Sequence, residues 1–187
     1  MYRILGFVGP SGCGKDTAAR YIGDLPGFHL VTLCTTRPKR DTETGKEYHF
    51  MEPDEFLTKL LNGNLLNAQE FREWYYGLSI EDLSENEINV MAMSNTMIEQ
   101  MMEDNNKNIN LKIMYIETDD KQRLLHILDR EEEPDCKEIC RRYLSDVNDY
   151  ENNKELADWC SYFIFNDYDD IFLYRLKQLV KRMYDKD

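Results

Sequence analysis

The sequence predicts a three-layer α/β fold around a five-stranded parallel sheet, and two observations carry that prediction. Apolar runs at Tyr2–Val8, 30–34, 88–93, 111–116 and Tyr162–Phe165 alternate with stretches suited to helices, and strands that alternate with helices build parallel sheets covered on both faces. The chain has 187 residues, 42% of them hydrophobic, which suits one compact domain with a sizeable core.

The first run contains Ile4-Leu5-Gly6-Phe7-Val8, the pattern of a buried strand. It leads into Gly9-Pro10-Ser11-Gly12-Cys13-Gly14-Lys15-Asp16-Thr17, in which Gly9 and Gly14 bracket four residues and Lys15 follows at once. A helix is expected over 16–22, stopped by Gly23. Strand, glycine turn and helix together are the context of a phosphate-binding loop. Several backbone N–H groups must converge on one polyphosphate there, which needs residues without a Cβ, and the helix N-terminus adds partial positive charge. Lys15 contributes an ammonium that can follow charge onto the β- and γ-phosphate oxygens.

The second strand, 30–34, is followed by a polar and aromatic insertion, 35–87, that interrupts the alternation. Its helix Pro53–Leu61 starts with proline at a favoured first position and ends near Gly63. The third strand, 88–93, precedes a helix at 94–103, and Asn105-Asn106-Lys107-Asn108 reads as a loop before the fourth strand. Helices follow at 120–130 and 137–148, then the last strand and a helix at 169–184. Met91, Met93, Met97, Met101 and Met102 read as deformable core packing.

A net charge of −13, from 23 basic and 36 acidic residues, is a poor match to a nucleic-acid surface, so no nucleic-acid polymer is expected as a partner. An acidic shell can still focus a small basic pocket for a mononucleotide. No stretch approaches the roughly 20 apolar residues of a membrane span, and Met1 leads straight into strand and loop without a signal peptide, so a cytoplasmic protein with no membrane partner is expected. The five cysteines contain no Cys-x-x-Cys pair and are expected to be reduced thiols.

Thr35-Thr36-Arg37-Pro38-Lys39-Arg40, then Gly45-Lys46-Glu47-Tyr48-His49-Phe50 and Tyr75-Tyr76-Gly77, follow the phosphate loop in an order and spacing that resembles guanylate kinase. Phe165-Asn166-Asp167 before the last helix resembles that family's Asn-Asp turn. The resemblance implies a P-loop kinase fold in one guanylate-kinase-like domain, with a core at 1–34, 88–125 and 143–187, an NMP-binding lobe at 35–87 and a helical lid at 126–142. It implies ATP on Gly9, Pro10, Ser11, Gly12, Cys13, Gly14, Lys15, Asp16, Thr17 and Asn166, and an acceptor phosphate held by Arg37, Arg40, Tyr48 and Tyr76. The residue types agree independently, since two guanidinium groups can grip a monoester dianion with forked hydrogen bonds and two phenols can donate to it without adding charge. Read alone, Arg37 and Arg40 are equally solvated loop charges. In the lid, Arg130 and one of Arg141 and Arg142 match arginines of the family, His126 stands where the family has another, and Arg123 is a candidate replacement. With Lys15, these lid arginines form the expected catalytic set. The other reading pairs them with Glu131, Glu132, Glu133 and Glu138 on the helix surface.

The departures concentrate where the base and the metal are read. Asn67 stands at the family's guanine-gripping glutamate, Leu33 and Leu78 replace serines, and Ala92 and Ser94 stand where the family has two aspartates. A pocket built this way should bind guanine less well than the family's does, while Asn67 can still donate to and accept from a pyrimidine or modified base. Asp16 replaces the hydroxyl that normally follows the loop lysine, so Asp16, helped by Thr17, is expected to hold Mg2+ in place of that hydroxyl and of the carboxylate missing at Ala92. Its alternative is a first-turn helix residue favoured by the dipole. The expected activity is transfer of the ATP γ-phosphate to a small-molecule (deoxy)nucleoside monophosphate by a monomer or homodimer. The alternatives are an ordinary GMP or dGMP kinase and a non-catalytic interaction module.

Overall fold

In the computed structural model, residues 1–39, 44–45, 48–71, 73–103, 108–129, 133–151 and 154–184 are described. Arg40, Lys46, Glu47, Arg130, Glu131 and Glu132, and Asn105, Asn106 and Lys107 of the expected loop, lie outside them.

Five strands form the expected all-parallel sheet: β1 (Tyr2–Val8), β2 (Phe28–Leu30), β7 (Ile88–Ala92), β8 (Ile109–Glu117) and β9 (Tyr162–Phe165), in the order β2-β7-β1-β8-β9. Side chains alternate across a strand, and β1 uses this to feed two cores. Leu5 and Phe7 pack with Ala18, Ala19 and Ile22 of α1 (Lys15–Gly23) and with Leu176 and Val180 of α7 (Phe172–Tyr184). Ile4 and Val8 face the other way, against Met97, Ile98 and Met101 of α3 (Asn95–Glu103). Sheet and two helical layers follow from that alternation. Of the methionine stripe, Met91, Met93, Met97 and Met101 are buried and Met102 is exposed.

The expected strand 30–34 is corrected. The ladder on β7 ends with Leu30, and Cys34 and Thr35 form β3 (Cys34–Thr35) in a different sheet, paired with Gly77 and Tyr76. Hydrophobic continuity reports burial and says nothing of the partner, so a run that leaves one sheet for another reads as a single strand. The second sheet has the order β4-β3-β6-β5, adding β4 (His49–Phe50), β5 (Leu65–Phe71) and β6 (Trp74–Ser79). One of its faces carries Cys34 and Ala68 against Phe56 of α2 (Pro53–Leu61). Asn67, Gln69, Tyr76 and Leu78 share the opposite face by the same alternation and register.

Beyond β8 the chain forms α4 (Asp120–Asp129) and α5 (Cys136–Asp146). The second ends two residues earlier than expected, in a π-helical turn Val147–Glu151, and a further helix α6 (Lys154–Trp159) precedes β9.

Candidate functional site

Gly9 to Gly14 connect β1 to α1, and Lys15 to Thr17 form the helix's first turn. Gly9 has φ +148° and a Cβ there would stand 2.4 Å from the Ile116 carbonyl oxygen, while Gly14 has φ +97° and would place a Cβ 2.8 Å from Asn166 Nδ2. Side chains are excluded at both positions by conformation and by space. Helix α1 starts at Lys15 directly behind Gly14, so its first N–H groups, which have no partner inside a helix, open onto the loop.

The outside of the loop is gripped by three side chains from two distant places, α4 and the turn that follows β9. Arg123 Nη1 donates to the Ser11 carbonyl at 3.4 Å, Tyr168 OH donates to the Gly12 carbonyl, and Asn166 Nδ2 donates to the Cys13 carbonyl at 2.9 Å. Among the described residues no peptide bond is cis, and the C=O and N–H of a trans peptide point in opposite directions. Holding the Ser11 and Cys13 carbonyls outward therefore turns the Gly12 and Gly14 N–H groups the other way, the arrangement an anion needs. Asn166 does a second task, because its Oδ1 accepts from Tyr168 N at 2.8 Å and so supports Tyr168 at φ 56°. Burial pushes the Cys13 thiol up, which disfavours the thiolate.

Asp16 lines a cavity of about 240 Å³ together with Leu33, Tyr48, Met91 and Ala92, and Arg20, one turn further along α1, lines it as well. The first turn of the phosphate-loop helix and the inserted lobe thus share one cavity. Among the described residues no three His, Cys, Asp or Glu side chains are grouped to hold a metal. Asp16 is exposed beside that cavity, so one carboxylate is available there to a hard cation such as Mg2+, which takes oxygen ligands.

In the lobe, Arg37, Tyr48 and Tyr76 come together. The Tyr48 and Tyr76 rings are 5.9 Å apart, and the Arg37 guanidinium lies 5.6 Å from the Tyr48 ring centre and 5.5 Å from that of Phe50. Asn67, on the face of β5 that also carries Gln69, is 4% exposed. Its Nδ2 donates to Gln100 Oε1 of α3, and among the described residues its Oδ1 has no partner. Ser94 Oγ donates to Gln69 Oε1 at 3.0 Å. Amides therefore stand where the sequence lacks carboxylates.

Lid candidates Arg141 and Arg142 both lie on α5 and both bond Glu138: Arg141 through Nε and Nη2 at 2.8 and 2.9 Å, Arg142 through Nε at 2.9 Å. Arg123 is not a replacement lid cation. It is 2% exposed, with Nε 2.7 Å from Asp120 Oδ1, Nη1 3.0 Å from Asp146 Oδ2, and its guanidinium 4.5 Å from the Tyr143 ring centre. Its guanidinium holds the Asp120 carboxyl below the usual carboxylate range. His126 stacks on Tyr168 at 4.8 Å. Sequence reasoning missed Asp146, Tyr168 and Gln100, whose contacts with the site join residues remote in the chain, and it passed over Arg20, one helical turn beyond Asp16.

The sequence model of the family described as guanylate kinase matches residues 1–183. The guanylate kinase of Helicobacter hepaticus is 36% identical over 84 residues, 44% of this chain and 42% of that protein. That of Thermosynechococcus vestitus is 35% identical over 98 residues, 51% and 49% of the two chains. The match spans less than half the length of either relative. The crystal structure of guanylate kinase from Anaplasma phagocytophilum superposes with a TM-score of 0.68 at 16% identity, covering 97% of this chain and 86% of that one. This last likeness is one of fold.

Proposed function

This chain belongs to the guanylate kinase family, and from that premise we propose that it transfers the γ-phosphate of ATP to a nucleoside or deoxynucleoside monophosphate. The observation that carries the reading is the shared cavity, in which Asp16 behind the phosphate loop and Tyr48 of the inserted lobe line one space. A donor phosphate on the loop and an acceptor phosphate on Arg37, Tyr48 and Tyr76, with Arg40 completing the grip, would meet across it.

ATP supplies the transferable phosphoryl group, and Mg2+ neutralises charge on its oxygens. The chain's own residues position and stabilise. Inward N–H groups of Gly12 and Gly14 fix the polyphosphate. The Lys15 ammonium follows charge toward the transferring group. Arg141 and Arg142 exchange Glu138 for phosphate oxygens when the lid, 126–142, closes over the NMP-binding lobe, 35–87, and the core. No general base is needed, because an acceptor phosphate already carries its nucleophilic oxygen. Asp16, with Thr17 beside it, holds Mg2+. On this reading Asp16→Ala raises the Mg2+ concentration giving half-maximal rate by about tenfold or more, the equivalent of one lost carboxylate contact of ~1.4 kcal/mol. A Mg2+ titration of both proteins checks this, and identical curves remove Asp16 from the metal site.

For the acceptor base we propose an edge other than guanine's. Guanine presents two adjacent donors, which a carboxylate satisfies, whereas the Asn67 amide, with Nδ2 committed to Gln100 and Oδ1 unpartnered among the described residues, offers one acceptor there. Leu33, Leu78 and Ala92 add no polar partner. The deciding assay supplies ATP with every common NMP and dNMP and with C5-modified pyrimidine monophosphates, scored for diphosphate product. A pyrimidine is expected to lead, and Asn67→Glu is expected to shift relative kcat/KM toward GMP by about 10- to 100-fold, since one mispaired buried polar group is worth ~1–3 kcal/mol. GMP leading by a wide margin in the unaltered protein would overturn the base assignment and leave the kinase class standing. Diphosphate from no acceptor would overturn the class.

A further inference from the structure

Of the peptides in the phosphate loop, Pro10–Ser11 is turned against its neighbours. Its carbonyl accepts Cys13 N at 3.1 Å and the Lys15 ammonium at 3.3 Å, while its N–H donates to Asp146 Oδ2 at 2.9 Å. The two ends of a trans peptide face opposite ways, so whatever fixes the Ser11 N–H also fixes the carbonyl on which Lys15 rests. Asp146 is well suited to fix it. It ends α5, is 8% exposed, and its carboxylate also accepts from Ser11 Oγ at 3.2 Å and from Arg123 Nη1 at 3.0 Å.

We propose that Asp146 is a positioning residue for Lys15, acting through the Pro10–Ser11 peptide. A carboxylate close to a polyphosphate site opposes anion binding, and Arg123, held between Asp146 and Asp120, offsets that charge. The same contact ties the end of α5, the helix that carries Arg141 and Arg142, to the loop that holds the donor. Loop and lid helix thus share one anchor. The inference rests on the reading of Lys15 as the ammonium that serves phosphoryl transfer.

Orientation and charge make different demands on this position, and substitution separates them. In Asp146→Asn, one amide oxygen can take both Ser11 N–H and Arg123, because both now bond the same oxygen, Oδ2, and the amide nitrogen can donate to Ser11 Oγ, which is able to accept. Asp146→Ala removes all three contacts.

The test uses the full chain, ATP, Mg2+ and the best acceptor from the panel, with melting temperatures and ATP titrations beside the kinetics. For Asp146→Ala a loss of about 100-fold in kcat is expected with KM for ATP changed less than about fivefold, the size of effect that a misplacement of about 1 Å gives. Asp146→Asn should recover kcat to within about fivefold of the unaltered protein. An alanine variant with undiminished kcat, or an asparagine variant as impaired as alanine, overturns the proposal. If the alanine variant does not fold, the Lys15 ammonium resonance of ligand-free, 15N-labelled protein decides: it should be unmoved in Asp146→Asn, and its displacement or loss overturns the proposal. Failure of the unaltered protein to bind ATP would instead remove the kinase reading and this inference with it, which the ATP titration detects separately.

Discussion

Lys15→Ala is expected to lower kcat by about 10²- to 10³-fold, the cost of removing one preorganised charge-stabilising donor from a phosphoryl or acyl transfer site. The reason lies in where charge develops. In a loose transfer, negative charge spreads over the oxygens of the migrating group and the bridging oxygen it leaves, and an ammonium on a flexible stem can track it. In the structure the Lys15 ammonium is held at the loop by the Pro10 carbonyl, so little reorganisation remains when a triphosphate arrives. ATP affinity should fall much less than kcat, because the amide cradle and the helix N-terminus remain. Steady-state kinetics beside ATP titration checks this, with Lys15→Arg as a companion that keeps charge but not shape. A Lys15→Ala enzyme within about threefold of the unaltered kcat would mean that the ammonium serves binding alone.

Arg123→Ala should cost about 3–5 kcal/mol of stability, the range seen when one partner of a buried ion pair is removed. Arg123 is enclosed, and its loss leaves Asp146 nearly buried with, among the described residues, hydrogen bonds from Ser11 alone. Asp120 is half exposed and would recover water. At this chain length ~3 kcal/mol corresponds to a fall of about 6–12 °C in melting temperature. Because the uncompensated carboxylate causes most of the loss, Arg123→Ala combined with Asp146→Asn should be more stable than Arg123→Ala alone. Thermal and denaturant unfolding of the single and double variants checks both claims. A fall of less than about 1 kcal/mol, or a double variant less stable than the single one, would show that the charges are not coupled as the geometry indicates.

The sequence disclosed those parts of the molecule whose causes are local. A phosphate loop is written in consecutive residues, and the parallel sheet follows from apolar runs separated by helices; both were legible. The second strand was not placed correctly, because its apolar run divides between two sheets and the choice between Val90 and Gly77 as neighbours is a tertiary matter. Arg37, Tyr48 and Tyr76 stand together, and Phe50, the last residue of the run that contains Tyr48, joins Arg37 and Tyr48 as a further neighbour, a contact that the run alone does not disclose. Asp146 was invisible for a physical reason: its target, Ser11, is 135 residues away, and a lone aspartate at the end of a polar helix carries no periodic or motif signal. Arg123 was misread for the same cause, since its helical spacing suggested a lid cation while its two carboxylate partners and the Ser11 carbonyl commit it to the root of the loop. Asn67 was identified by its position, but the contact that orients it, with Gln100, comes from another element altogether.

The most direct measurement is a crystal structure with a bisubstrate mimic, adenosine joined through a chain of phosphates to the nucleoside of the best acceptor. The adenosine end's phosphates should lie against the Gly12 and Gly14 N–H groups and Lys15, and the other end's terminal phosphate should lie against Arg37, Tyr48 and Tyr76. A glycine loop without phosphate, or an Arg37 guanidinium directed into solvent with the mimic bound elsewhere, would contradict the account.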